Sequence, residues 1–106
     1  MKSINSLALD SLRIALLRNK VTIFSEEASV HQETCDSLRE EVDEFLQASE
    51  CKPSEHLPEY TEAVEELADI ALVALTELSR RGVNVEKVLL LKSMYIVQNI
   101  RLRKRP

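Results

Sequence analysis

The sequence predicts an all-α fold, four main helices arranged as a bundle in a single domain over residues 1–106. Three observations carry that expectation. One Gly and three Pro leave few places where 106 residues can turn. Apolar residues recur at helical spacing in four separate stretches. The breaks between the later stretches fall where Pro and Gly cluster. A chain of this length has no room for a second core, and its own core is thin. Dimerisation through an apolar face is therefore expected to complete the bundle.

The first helix begins near Ser3 or Ser6, carries Leu9, Leu12 and Leu16 on one stripe, and ends at Asn19-Lys20. Val21-Thr22-Ile23-Phe24 is β-branched and reads as an extended link. Ser25 with Glu26-Glu27 behind it offers a capping hydroxyl and acids for the start of the second helix. That helix runs to about Ser49, with Leu38, Val42, Phe45 and Leu46 expected to be buried. Cys51-Lys52-Pro53-Ser54 and Pro58 form the clearest break, and Pro58 reads as a first-turn proline of the third helix. From Leu67 to Leu75 every residue of that helix is apolar except Asp69. A helix apolar all round is expected to be a buried one. It ends at Arg80-Arg81-Gly82, where basic residues meet the negative end and the only glycine takes the left-handed cap. Asn84 caps a fourth helix bearing Val85, Val88, Leu89, Leu91, Ile96, Val97 and Ile100.

A net charge of −4 argues against general nucleic-acid binding. No signal peptide is read, because Asp10 and Arg13 interrupt the early apolar residues. The longest apolar run, Ile70 to Leu75, is far short of a membrane span. Cys35 and Cys51 are too few for a disulfide scaffold; two reduced thiols in a cytoplasmic protein are the expectation.

Asp69 is the residue that demands an explanation. A carboxylate in a buried helix is costly unless it is paired or bound to a metal. Glu66 lies one turn before it on the same face, and Glu41 and Glu44 repeat that spacing on the second helix. A short link makes the two helices antiparallel neighbours, so counting from the link sets Glu44 against Glu66 and Glu41 against Asp69. Four converging negative charges repel, and a hard divalent cation removes the conflict. An oxygen-only donor set points to Mg²⁺ or Mn²⁺ rather than zinc. A di-iron site would want Glu-x-x-His pairs, and neither His31 nor His56 has a Glu three residues before it. Glu40, Asp43, Glu62 and Glu65 read by default as solvated helix faces.

Glu40-Glu41-x-x-Glu44, then 21 residues, then Glu66-x-x-Asp69 resembles the motif of the MazG-like all-α nucleoside triphosphate pyrophosphohydrolases. The flanks resemble that family too: Leu38-Arg39, Glu65 to Ile70, and Gly82-Val83-Asn84-Val85-Glu86. The likeness covers about Leu38 to Lys92. It implies a MazG-type, Mg²⁺-dependent hydrolase, with Mn²⁺ as the other candidate ion. Such an enzyme cleaves a nucleoside triphosphate between the α and β phosphates, giving monophosphate and pyrophosphate, and serves nucleotide-pool house-cleaning. By the same resemblance Glu41, Glu44, Glu66 and Asp69 are the metal ligands, and Glu40, with Glu41, belongs to the catalytic set by positioning or activating the attacking water.

Members also carry a Lys, an Asn four residues later and an Arg beyond, for the phosphates. Lys92 fits, Ile96 stands where Asn is expected, Asn99 comes one turn late on the same face, and Arg103 follows. Many members stack the base on a Trp near the N-terminus, and this chain has none. Within the superfamily, phosphoribosyl-ATP pyrophosphohydrolase uses similar acids and is the alternative enzyme reading. The enzyme is expected as a homodimer or homotetramer; a non-catalytic helical dimer acting as an interaction module explains the apolar third helix but not Asp69. A zinc site from His31 with Cys35, or Cys51 with His56, has no trusted spacing. The tail Arg101, Arg103, Lys104 and Arg105 reads as a solvated end, as a nucleic-acid contact, or as a reach toward the triphosphate.

Overall fold

The computed structural model describes residues 3–21 and 26–103, and of residues 101–103 the backbone only. It holds four helices: α1 (Ile4–Leu17), α2 (Glu27–Gln47), α3 (Glu62–Arg80) and α4 (Val85–Arg103). The all-α class therefore stands.

Local chemistry fixes several of the helix ends. Ser3 Oγ accepts from the Ser6 amide at 3.0 Å and starts α1. Its far end is a left-handed cap at Asn19 (φ 55). There the Lys20 amide reaches the Ala15 carbonyl at 2.8 Å and the Asn19 amide reaches that of Leu16 at 3.2 Å. The first helix thus ends where expected. The second starts from Glu26 with no side-chain cap; Ser25 and the expected extended link Thr22 to Phe24 lie outside the described residues.

The expectation for Pro58 is corrected. Thr61 caps α3, its Oγ1 accepting from the Val64 amide at 3.3 Å, and Pro58 belongs to the preceding turn. The link is longer than expected because its own polar groups knit it. Ser54, nearly fully buried, donates its amide to the Tyr60 carbonyl and accepts at Oγ from the Leu57 amide. Glu62 Oε1 accepts from the Ser49 amide at 3.0 Å, and the Ala63 amide donates to the Ser49 carbonyl at 3.1 Å. These bonds tie the end of α2 to the start of α3.

The third helix is the hub: α1 and α2 both pack along it. Fourth in line, α4 joins through its first turn, where Asn5 Oδ1 accepts from the Glu86 amide and Glu86 Oε1 accepts from the Ile4 amide. Asn84 Oδ1 caps α4 through the Lys87 amide at 3.1 Å. Gly82, at φ +74, makes the turn between α3 and α4. No atom would meet an added Cβ there, so Gly82→Ala carries only backbone strain. It is expected to cost about 1 kcal/mol and lower the melting temperature by roughly 4–8 °C, read by calorimetry.

Burial departs from the expectation. Within one chain α3 is not buried all round: Val64, Leu67 and Leu72 are exposed, because α1 and α2 pack along it while α4 touches it only slightly. Val42 and Leu46 of α2 are exposed as well, the latter at 73 %. Beyond its first turn α4 leaves Leu89, Leu90, Leu91, Met94, Ile96 and Val97 in solvent.

The far end of α3 carries a polar network. Glu77, 5 % exposed, sits between Arg80 (3.4 Å) and Arg81 (3.0 Å), and Arg80 reaches Glu33 of α2 at 2.6 Å. Removing one member of a buried network leaves its partners' charge uncompensated. Glu77→Ala is expected to lose about 3 kcal/mol, read by urea unfolding.

Candidate metal centre

In the folded chain Glu44 lies three residues before the end of α2, and Glu66 four after the start of α3. Glu41 and Asp69 follow one turn deeper on each helix. The two pairs are offset by about one residue, or about 1.5 Å. The knitted link sets that register. As a result one carboxylate oxygen from each of Glu41, Glu44, Glu66 and Asp69 lies within 4.8 Å of the other three.

The site is electrostatically frustrated as a bare protein. Burial, then the charges of Glu44 and Asp69, push the Glu41 carboxyl up to about 7. Glu66 is raised by burial and by Asp69, and Glu44 bonds to its carboxyl. Asp69 is raised by burial and then by Glu65 and Glu44. Glu41 Oε2 and Glu66 Oε2 are buried and have no hydrogen-bond partner. Buried carboxylate oxygens without donors are costly, and a cation among them would satisfy both. The donor set fits a hard divalent ion.

Two cavities meet at these acids. One, of about 240 Å³, lies between α1, α2 and α3; Glu40, Glu41 and Asp69 stand on its wall with Arg18, Lys20 and Leu72. The other, of about 350 Å³, is an acidic cleft at the link, lined by Glu44, Glu55, Glu62, Glu65, Glu66 and His56 among others. There His56 Nδ1 pairs with Glu65 Oε1 at 3.0 Å.

Glu40, exposed, reaches the site as cavity wall. Lys92 and Asn99 line neither cavity; Lys92 Nζ lies 5.0 Å from the ring centre of Tyr95 on its own helix. Arg103 closes the helix, and its side chain lies outside the described residues, as does that of Arg101; Lys104 and Arg105 are not described at all. Among the described residues no three of His31, Cys35, Cys51 and His56 form a metal-binding group, and both cysteines are free. Arg18 and Lys20 escaped the sequence reading. At a helix end they look like ordinary dipole partners, and only the packing of α1 on α3 brings them beside the acids.

Among the described residues no helix is long and apolar enough to cross a membrane. The profile of the phosphoribosyl-ATP pyrophosphohydrolase family matches residues 14–90, which takes in all four carboxylates and both cavities' acidic walls. No curated protein and no solved structure matches the chain.

Proposed function

The chain belongs to the phosphoribosyl-ATP pyrophosphohydrolase family, within the MazG-like all-α superfamily, and from that premise we propose a divalent-metal-dependent hydrolase of the α–β phosphoanhydride bond in nucleoside triphosphates. The observation that carries the reading is the convergence of Glu41, Glu44, Glu66 and Asp69 around two buried, partnerless oxygens. These four residues would hold Mg²⁺, or Mn²⁺ in its place. When bound, the ion neutralises phosphate charge and makes water a better nucleophile near neutral pH. Glu40, on the same cavity wall, orients the attacking water and takes its proton. Water adds at the α phosphorus, the bond to the bridging oxygen breaks, and pyrophosphate leaves with the electron pair. The phosphate roles of Lys92, Asn99 and Arg103 rest on the resemblance. The enzyme works on a cytoplasmic nucleotide pool.

A second reading, with phosphoribosyl-ATP as substrate, is favoured by the matching family itself. A panel of nucleoside triphosphates and phosphoribosyl-ATP, assayed for pyrophosphate release with Mg²⁺, separates the two. Pyrophosphate from any of them supports the proposal. Release of orthophosphate alone, or no release from the whole panel, contradicts it.

Association as a homodimer, or a tetramer built from it, belongs to the same proposal. The chain exposes 8423 Å², against roughly 6000 Å² for a compact domain of its mass. Its radius of gyration is 16.4 Å, against roughly 13 Å for a compact one. The excess is more than a standard interface buries. Sedimentation at micromolar concentration is expected to show the dimer or larger, and a monodisperse monomer would overturn this part.

A further inference from the structure

Among the described residues three arginines of the helical body are held in ion pairs. Arg13 pairs with Asp10, Arg81 with Glu77, and Arg80 with both Glu33 and Glu77. Arg18 and Lys20 stand outside these pairs, as do Arg39, Lys52, Lys87 and Lys92, and only these two of the six stand on a wall shared with the acids. Neither has an acidic partner among the described residues, and both line the cavity on which Glu40, Glu41 and Asp69 open.

Their backbone is held in place. The cap at Asn19 fixes the turn between them through the two amide bonds to Ala15 and Leu16, and Val21, 5 % exposed, anchors the chain immediately after. Apolar walls from Ile14, Leu72 and Val73 complete the cavity.

The second cavity has the opposite character. Glu44, Glu55, Glu62, Glu65 and Glu66 line it with His56 as the only basic side chain, and His56 is paired to Glu65. An anionic phosphate chain is repelled there. Of the four clustered carboxylates, Glu41 and Asp69 stand on the first cavity and Glu44 and Glu66 on the second, so a substrate seated on them has a cationic side and an acidic one.

The geometry points to Arg18 and Lys20 as the binding residues for the pyrophosphate end of the substrate. This deepens the proposed function and rests on it for the identity of the ligand. It applies equally to a nucleoside triphosphate and to phosphoribosyl-ATP, since both present the same triphosphate.

Calorimetric titration of Mg²⁺-pyrophosphate into the full chain tests this without requiring turnover. Wild type is expected to bind, and the Arg18→Gln/Lys20→Gln double variant to bind about tenfold more weakly or worse. Arg18→Lys/Lys20→Arg is expected to keep most of the affinity. The Mg²⁺-dependent rise in melting temperature without nucleotide is expected to persist in the double variant, because the metal ligands are untouched. Equal binding by wild type and double variant, or no binding by wild type, overturns the assignment. Failure of the wild type to release pyrophosphate from any nucleotide bears instead on the proposed function. In steady state the double variant should raise KM about tenfold with a smaller change in kcat, and an unchanged KM also counts against the role.

Discussion

Asp69→Asn is expected to lower metal-dependent kcat/KM by about a thousandfold or more while the helical content stays at the wild-type level. The amide keeps the volume of the carboxyl and removes one charged donor from a set whose oxygens lie within 4.8 Å. Without metal, the variant also relieves repulsion that reaches Glu41 and Glu66. Its apo form should therefore melt at or above the wild-type temperature. Loss of activity with loss of stability would instead describe a structural acid, and wild-type activity would remove Asp69 from the site. Pyrophosphate-release kinetics and circular dichroism on the same preparation decide among these.

The second large effect is on stability against pH. Glu41 titrates at about 7 in the fold against 4.5 for an ordinary glutamate, and Glu66 and Asp69 are raised as well. The folded state thus holds protons more tightly than the unfolded one. That contribution is complete below the unfolded-state values and is lost as pH climbs through the raised ones. Apo protein should melt higher near pH 5 than near pH 8. Bound Mg²⁺ needs the deprotonated carboxylates, so its stabilisation should grow over the same interval and narrow or reverse the difference. Melting temperature against pH, with and without saturating Mg²⁺, gives two curves that converge or cross. Parallel curves would show that the four acids do not act as one site.

Much of this arrangement was legible from spacing. Glu41 and Glu44, like Glu66 and Asp69, are one turn apart, and an acid inside an apolar run carries its own demand for a partner. Caps were legible too: Ser3, Asn19, Gly82 and Asn84 act where their chemistry suggests. Pro58 misled, because a proline fits a tight turn as well as a first helical turn, and the tie from Glu62 to Ser49 decided between them. Burial was the weakest inference. Periodicity shows that Leu67 or Leu90 wants a neighbour and does not show whether that neighbour lies in the same chain. Arg18 and Lys20 were invisible for a related reason: they approach Asp69 only through the packing of α1, some fifty residues away in sequence.

Direct Mn²⁺ binding, followed by electron paramagnetic resonance, tests the central claim most closely. Wild type should bind the ion with an affinity that rises between about pH 5 and pH 8, and Mg²⁺ should displace it. Glu66→Gln and Asp69→Asn should each lose that binding, while Glu59→Gln, in the link outside the cluster, should keep it. A wild-type protein that binds no Mn²⁺ at millimolar concentration, or one whose binding survives both substitutions, would contradict the claim that these four carboxylates form a metal centre.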